Sequence, residues 1–268
     1  MIRRSGVPAL AGLLVLFLGL PVVALVVRAV GSGVLGQVAG TRAVVDALSL
    51  SLTTTAVTLV LTVMLGTPLA YVLARRRFRG SALVEVAVDL PIVLPPSVAG
   101  LALLLVFGRQ GWLGGSLDAL GIQIAFTSVA VVLAQTFVAA PFYVRSARAG
   151  FMAVDRDLED AARVDGAGEA QVMRFITIPL ASAALAGGLV MTWARALGEF
   201  GATIMFAGSL GGVTQTLPLV VYAEFGAGDL DAAVAAAVIL ALAAVAVLAA
   251  ARGLGWSALQ RGHAGPAP

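Results

Sequence analysis

Long apolar runs recur along the chain and are separated by shorter polar segments. Six of these runs are long enough for a helix to cross the roughly 30 Å of hydrocarbon in a bilayer. They cover residues 8–30, 49–74, 84–107, 126–145, 180–207 and 232–251. Because lipid offers the backbone no hydrogen-bond partners, each run is expected to be a helix. The pattern predicts an all-α polytopic membrane protein with about six transmembrane helices.

The predicted helices form a single transmembrane domain over residues 1–261, and residues 262–268 are expected to be a disordered tail. The third run contains Pro91, Pro95 and Pro96, so its helix is expected to be bent. The first run follows a pair of arginines, as a cleavable signal peptide does. It is too long for one, and its removal would leave an odd number of spans, so we interpret it as a retained helix.

A polar segment, residues 150–179, interrupts the apolar pattern between the fourth and fifth runs. Asp155 can cap a helix whose first turn carries Asp157, Glu159 and Asp160. These acids complement the positive end of the helix dipole. The segment therefore begins with a strong signal for a helix outside the membrane.

Small residues shape the rest of this segment. One side of its helix carries Leu158, Ala161, Ala162 and Asp165, spaced by three or four residues. The small side chains on this side leave room for close contact with another surface. Gly166 and Gly168 permit a helix stop and a turn, after which residues 169–175 can form a second short helix. The segment is predicted to be a helix-turn-helix hairpin. The alternative is an ordinary amphipathic surface loop.

The spacing in the hairpin resembles the Glu-Ala-Ala loop by which permease subunits of bacterial ABC importers engage their ATPases. Asp160 stands where that pattern has Glu, and the remaining matches follow at the family's intervals. The resemblance implies a cytoplasmic coupling loop between the fourth and fifth spans of a type I ABC importer permease. The residues assigned to it are Leu158, Glu159, Asp160, Ala161, Ala162, Gly166, Ala167, Ile176, Ile178 and Pro179.

Arginines are concentrated at alternate ends of the predicted spans. One side holds Arg3, Arg4, Arg75, Arg76, Arg77, Arg79, Arg145, Arg148, Arg156, Arg163, Arg174, Arg252 and Arg261, whereas the other loops hold Arg28, Arg42 and Arg109. An excess of cations marks the cytoplasmic side, so both termini and the hairpin are predicted to be cytoplasmic in a bacterial or archaeal plasma membrane. Anionic lipid explains the basic character, and no nucleic-acid partner is expected.

Composition excludes several kinds of chemistry. The chain is 60% hydrophobic and has no cysteine, which excludes thiolate chemistry and cysteine–zinc sites. All 17 basic residues are arginine, so the chain cannot form the lysine-containing phosphate loop of an ATPase. The single histidine, His263, lies in the tail. We therefore expect no enzyme, no metal site and no cofactor on this chain, with ATP and Mg²⁺ bound by a partner ATPase.

The fifth run contains two charged residues. Arg195 and Glu199 lie one helical turn apart, so they can neutralise each other where either alone would cost about 2.5–3.5 kcal/mol. The pair either locks this helix to its neighbours or lines a conduit. The residues assigned to a translocation path or gate are Arg195, Glu199, Thr203, Met191 and Met205.

The region after this pair resembles the permease subunit of molybdate importers. The matching segments are Ala196–Thr203, Phe206–Gly208, Thr216–Leu219, Leu90–Gly114 and Ala125–Val144. Sulfate and tungstate permeases share much of this scaffold, so both cargoes remain alternatives to molybdate. The resemblance implies a homodimer with two cytoplasmic ABC ATPase subunits and an external oxyanion-binding protein, working by alternating access.

Two rival functions remain open from the residues alone. An ATP-independent secondary transporter or channel would use Arg195 and Glu199 as its ion-coupling pair. A membrane-embedded enzyme would need further ionisable groups, and Glu85 and Asp89, near the start of the third span, are interpreted as helix-start acids. Gly187 and Gly188 are expected to permit a close helix crossing, and tight packing alone explains them nearly as well as sliding does.

Overall fold

The computed structural model describes residues 6–76 and 78–262, and this part of the chain is helical with connecting turns. Five of its helices are long and apolar enough to cross a membrane, and the number is six when one bent helix pair is counted as a span. The five are Pro8–Ser32, Arg42–Arg75, Ser128–Ala153, Glu169–Leu197 and Leu230–Ala249. The sequence prediction of an all-α protein with about six spans is confirmed. Arg3, Arg4, Arg77 and residues 263–268 lie outside the described part.

The chain begins with α1 (Gly6–Ser32), the short α2 (Leu35–Ala39) and α3 (Arg42–Arg75). The hydroxyl oxygen of Thr41 accepts a hydrogen bond from the backbone N–H of Val44 at 3.4 Å and caps α3. At 34 residues, α3 is about 51 Å long and exceeds the hydrocarbon thickness. It starts seven residues before the apolar run in the sequence, and its first turns contribute Val44 and Ala47 to a buried contact with α12 and α13.

The third span consists of α4 (Ser81–Val93) and α5 (Pro96–Phe107), which differ in direction by 120°. The bend falls at Leu94 and Pro95, where Pro95 and Pro96 cannot donate backbone hydrogen bonds to the preceding turn. The predicted bend is confirmed.

The next helices are α6 (Gly114–Ala119) and α7 (Ser128–Ala153), which is the central helix of the fold. It packs against α3, α4, α5, α10 and α11. We call the end of α7 near Ala153 the hairpin end of the molecule and the end near Ser128 the opposite end. Both ends of the bent third span lie along this one helix, α4 beside the hairpin end and α5 beside the opposite end.

After α7 the chain forms α8 (Arg156–Val164) and α9 (Glu169–Val172), a π-helical turn (Met173–Thr177) and α10 (Ile178–Leu197). The segment from Glu169 to Leu197 is one continuous apolar helix. The second short helix expected over residues 169–175 is present as α9 and the beginning of the π-helical turn. Its first residues are helical, but they continue through the π-helical turn into the fifth span.

The fifth span also ends earlier than its apolar run. The long helix stops at Leu197, and a short α11 (Gly201–Phe206) follows after a break, so the expected single helix over residues 180–207 is wrong. Composition did not reveal this, because the residues on both sides of the break are equally apolar. The chain finishes with α12 (Leu217–Gly226) and α13 (Leu230–Gly262), and Gly262 belongs to this helix, not to the predicted tail.

Three apolar clusters hold these helices together. One, at the opposite end, joins α5, α7 and α11 and contains Ala99, Leu103, Ala130, Ala134, Val138 and Phe206. A second, at the hairpin end, joins α3, α7 and α10 and contains Ala70, Tyr143, Val144, Ala147, Phe151 and Ala181. The third joins α3, α12 and α13. By contrast, nearly every described side chain of α1 is exposed, which suits a helix at the lipid-facing periphery.

Candidate functional site

The polar segment after α7 forms the predicted hairpin, and the residues predicted to begin and end its first helix do so. The Asp155 carboxylate accepts a hydrogen bond from the backbone N–H of Asp157 at 3.0 Å and caps α8. Gly166 ends this helix with φ +92°, a left-handed conformation that side chains rarely adopt. The amide oxygen of Gln171 accepts from the Gly168 N–H at 2.8 Å and caps the following turn.

Small motif residues meet on one side of the hairpin. Ala162, Gly166, Ala167 and Ile176 line a single shallow cavity together with Val172. Nearby, Leu158 is 51% exposed and Val164 is 87% exposed. Apolar side chains that are open beside a small-residue groove form a surface suited to receive another protein. Ile178 and Pro179, also assigned to the motif, lie outside this groove at the start of α10, with both side chains exposed.

Arg163 ties the two arms of the hairpin together. Its guanidinium donates to Asp160 at 2.7 Å and to Glu169 at 2.9 Å. The hydrogen bond to Glu169 raises the pKa of Arg163 further above its ordinary value. Both acids are about two-thirds exposed, so these pairs shape the surface and contribute little to stability.

The side chain of Glu159 makes buried contacts that its position in the sequence does not indicate. It is 2% exposed, and its carboxylate accepts from the Arg75 guanidinium at 2.7 Å and from the Thr177 hydroxyl at 2.7 Å. Although it also lies in the first turn of α8, its buried contacts reach α3 and the π-helical turn. Arg75 is 84 positions away in the chain, so no local pattern predicts this contact.

The charged pair of the fifth span is present, with Glu199 buried and Arg195 partly exposed. Arg195 Nη1 lies 2.6 Å from Glu199 Oε2, and the other carboxylate oxygen accepts from the backbone N–H of Ala202 at 2.7 Å. Glu199 is 1% exposed and thus joins the end of α10 to the first turn of α11. Both contacts lie within the fifth run, so the two interpretations from sequence, a lock to neighbouring helices and the lining of a conduit, stay predictions.

The other residues assigned to the path lie in different surroundings. Thr203 is fully buried, and its hydroxyl has no hydrogen-bond partner. Met191 and Met205 are 57% and 39% exposed on the surface of the single chain. The structure therefore does not bring these residues to one cavity within the described chain, and their assignment to a path or gate stays a prediction.

Glu85 and Asp89 are not helix-start acids. Glu85 pairs with Arg148 of α7 at 2.7 Å, and Asp89 lies 3.6 Å from Arg145 on the same helix. The interpretation is wrong because neither residue lies in the first turn of α4, which begins at Ser81. These pairs hold the first half of the bent span against α7.

A row of buried hydroxyl side chains on α3 was not predicted from the sequence. Its members are Ser51, Thr54, Thr55, Thr58 and Thr62, and all are buried. Gln135 of α7 lies 3.1 Å from the Thr58 hydroxyl and 3.4 Å from the Thr55 hydroxyl. Spacings of three and four residues are the signal that could have found this row. Such hydroxyls hold membrane helices together by hydrogen bonds across the interface.

Within the described ranges, no group of three or more acidic or histidine side chains is placed to hold a metal ion. On the hairpin, the residues of the sequence motif also lie together on an exposed surface.

Comparison with known proteins places the hairpin within a known protein family. Residues 66–255, which include α4 to α12 and the whole hairpin, match the family described as binding-protein-dependent transport system inner membrane component. The chain belongs to this family. The match begins within α3, so α1 and α2 lie outside the conserved family region.

Similar curated proteins are named for the transport of molybdenum or of sulfate. The chain is 44% identical over 241 residues to the molybdenum transport system permease protein of Mycobacterium tuberculosis, covering 90% of each protein. It is 38% identical over 237 residues to a sulfate transport system permease protein of Synechocystis, covering 88% of this chain and 86% of that relative.

A solved structure shares the fold of this family member. It is a bacterial ABC transporter involved in the import of alginate, with a TM-score of 0.75 and 17% identity, and the alignment covers 93% of each chain. The fold of a type I ABC importer permease is therefore confirmed for this chain.

Proposed function

We propose that this family member is the permease subunit of an ATP-driven importer that moves molybdate across the plasma membrane. The observation that carries the proposal is the exposed hairpin, whose groove of small residues has the spacing of an ATPase-docking loop. The identity to a molybdenum transport permease over nine-tenths of the chain supports molybdate as the cargo.

The working assembly contains two copies of this chain, two cytoplasmic ABC ATPase subunits and an external binding protein that delivers the oxyanion. ATP and Mg²⁺ bind to the ATPases. One such hairpin per copy would engage each ATPase, and the two copies would enclose a pathway on their shared axis. The exposed apolar surfaces of α10 and α11, including Met191 and Met205, are available for contact with the second copy or with lipid.

Transport proceeds by alternating access. Closure of the ATPases on ATP draws the two hairpins together, and each hairpin moves the membrane helices to which it is joined. The helices then exchange an inward-facing packing for an outward-facing one, and hydrolysis resets them. The chain's own contribution is mechanical, because it supplies the docking surface, the connections to the spans and two packings of those spans.

The anion is expected to meet weak contacts on its way. Arg195 already has its guanidinium engaged by Glu199, and that carboxylate would repel an oxyanion. Backbone amides and hydroxyls bind an anion loosely enough to release it, as rapid passage requires. Selection of the cargo therefore belongs mainly to the external binding protein.

The docking role is tested by replacing one small, exposed residue of the hairpin with a large one. Ala161→Trp adds an indole on α8 where the single chain has open space, so the permease itself is expected to fold normally. The indole would block seating on the ATPase, and ATP-dependent molybdate uptake into proteoliposomes should fall at least about tenfold, since clashes at an interface cost several kcal/mol. Leu14→Trp, at an exposed site on the peripheral helix α1, is the control and should keep full uptake.

The same vesicles test the cargo. Molybdate uptake by the wild-type complex with its binding protein should resist a tenfold excess of sulfate, roughly the discrimination that one lost hydrogen bond supplies. Sulfate, carried by the Synechocystis relative, is the second candidate, and efficient competition would favour it. Uptake by the purified chain without any ATPase would favour a secondary transporter or channel and overturn the proposal.

A further inference from the structure

A buried ionic contact lies where the hairpin joins the membrane helices. Glu159 of α8 is 2% exposed, and the Arg75 side chain is 9% exposed. The two charged groups meet at 2.7 Å between Nη2 and Oε1. An ion pair this deeply buried is costly to form, so it persists only where geometry and additional hydrogen bonds compensate for lost hydration.

Those additional hydrogen bonds are present, and each one comes from a different element. The Thr177 hydroxyl donates to the same Glu159 oxygen at 2.7 Å. The Arg75 guanidinium also donates to the backbone carbonyl of Val154, between α7 and α8, at 3.1 Å. Glu159 therefore connects the hairpin to the last turn of α3 and, through Thr177, to the start of α10.

Thr177 is placed for this contact by an unusual local backbone. It ends the π-helical turn Met173–Thr177, which directly precedes α10 at Ile178. Single π-helical turns within longer helices occur frequently at functional sites, because they turn side chains away from their regular positions. Here the turn falls where the fifth span leaves the hairpin.

The other ion pairs of the hairpin are more local. Arg163 joins Asp160 and Glu169, all three within the hairpin, and these acids are largely exposed. Arg163 also lies 3.8 Å from the second carboxylate oxygen of Glu159, which adds a longer contact from within the hairpin. Water can replace the exposed pairs at small cost. Water cannot easily replace the contact of Glu159 with Arg75, because both of these charged groups are buried.

We propose that Glu159 is a positioning residue that locks the hairpin to α3 and α10 through Arg75 and Thr177. With the lock in place, a displacement of the hairpin moves both helices instead of being absorbed by bending at the junction. Without it, the hairpin still docks, but ATP hydrolysis proceeds with less transport. This inference rests on the proposed function of the hairpin as the ATPase-docking element.

The test uses Glu159→Gln in the complete transporter, with permease, ATPase and binding protein in proteoliposomes. Gln has the shape of Glu but carries no charge, so it weakens the contact to Arg75 and leaves the exposed docking groove unchanged. The number of ATP molecules hydrolysed per molybdate imported should rise roughly tenfold, the size of a moderate coupling free energy. Asp157→Asn removes an exposed carboxylate from the same helix, one that forms no ion pair among the described residues, and should keep the wild-type ratio.

A second variant covers the case in which Glu159→Gln does not fold. Thr177→Val keeps the size of the side chain and the ion pair but removes the hydroxyl that donates to Glu159. It should raise the ratio of ATP hydrolysed to molybdate imported about threefold, because one charge-assisted hydrogen bond is lost.

A further measurement needs no ATPase. Amide hydrogen exchange on the isolated permease in detergent should become faster across residues 169–177 in Glu159→Gln, and should stay unchanged over the same residues in Asp157→Asn. A fold that is merely weaker everywhere would show faster exchange in α7 as well. Exchange confined to the junction is the signature of a lost lock.

The outcomes separate this inference from the function on which it rests. Wild-type ratios of hydrolysis to import in both Glu159→Gln and Thr177→Val, with unchanged exchange at the junction, would overturn the lock while leaving the docking role intact. Full uptake by Ala161→Trp would instead overturn the docking role, whatever the exchange shows. A raised ratio together with faster exchange over residues 169–177 would support the lock.

Discussion

Glu199 illustrates how a single carboxylate can stabilise an interrupted membrane helix. Its two oxygens are divided between the Arg195 guanidinium, at the end of α10, and the backbone N–H of Ala202, in the first turn of α11. A helix that begins inside a membrane leaves backbone donors without partners, and an acid at that point satisfies one of them and complements the helix dipole. The pair therefore belongs to the break in the fifth span and explains how two ionised groups are tolerated there.

Replacing this carboxylate should destabilise the protein measurably. In Glu199→Gln the Arg195 charge loses its partner, and the free energy of unfolding should fall by about 3 kcal/mol, the lower end of the range for breaking a buried pair, since Arg195 keeps some access to solvent. Thermal denaturation in detergent, calibrated against denaturant unfolding, measures the change. Asp118→Asn, which removes the exposed pair with Arg109, is the control and should change stability by less than about 0.5 kcal/mol. Equal effects for both variants would contradict the structural role of Glu199.

Among the elements, α7 and α10 pack closely against each other at the centre of the fold. The Ser146 hydroxyl donates to the carbonyl of Ala184 at 2.7 Å, and the Thr192 hydroxyl donates to the carbonyl of Ala139 at 3.2 Å. Such contacts to main-chain oxygens require backbones in near contact, which small residues on both helices permit. The sequence indicated both Gly187 and Gly188 for this crossing, but the structure assigns it to Gly188 alone, since Gly187 is exposed.

Two neighbouring glycines on α10 provide a matched test of this crossing. A methyl group at position 188 would lie 2.7 Å from Cβ of Ser146, whereas one at position 187 would meet no atom within 4 Å. Gly188→Ala should therefore lower the free energy of unfolding by about 1–3 kcal/mol through overpacking. Gly187→Ala should be neutral, or stabilise by up to about 1 kcal/mol, because alanine favours the helix over glycine. Similar melting temperatures for the two variants would show that the helices do not approach this closely.

Across the whole molecule, charge is distributed by end. The hairpin end carries the clusters around Arg75, Arg148 and Arg163, whereas the opposite end has the exposed pair of Arg28 with Asp231 at the junction of α1 and α13. An excess of arginine at one end is the pattern that sets the orientation of inner-membrane proteins. The hairpin is therefore expected to face the cytoplasm, where ATP is present.

The absence of native cysteine makes this orientation directly measurable. Val164→Cys places a thiol on the hairpin, and Trp112→Cys places one between α5 and α6, at sites that are 87% and 88% exposed. A membrane-impermeant maleimide should label Trp112→Cys in right-side-out vesicles and Val164→Cys only in inside-out vesicles. Labelling of both variants from one side would refute the predicted topology, and the reverse pattern would place the hairpin outside the cell.

The features that could be predicted from the sequence are those set by residues close together in the chain. The capping of α8 by Asp155, the left-handed stop at Gly166 and the bend at Pro95 depend on residues within one or two turns, so they can be recognised without coordinates. The apolar runs likewise determine the spans, because a membrane leaves the backbone few alternatives to helix. The resemblance of the hairpin to a docking loop was also visible, since that motif is a set of short fixed intervals.

Only the tertiary structure decided how distant polar groups are partnered. The contacts of Glu159 with Arg75 and of Glu85 with Arg148 join residues 84 and 63 positions apart, and the composition around each acid is compatible with an exposed helix start. The break after Leu197 also depends on tertiary contacts. Interrupting the helix leaves backbone donors without partners, and Glu199 accepts a hydrogen bond from one of them, the N–H of Ala202. The short helix α11 that follows packs so closely on α5 that a methyl group on Gly100 would clash with Ala202. The sequence determined where the chain crosses the bilayer, through local hydrophobicity and capping. Which helices meet, and therefore which charges are buried together, depended on packing between segments far apart in the chain.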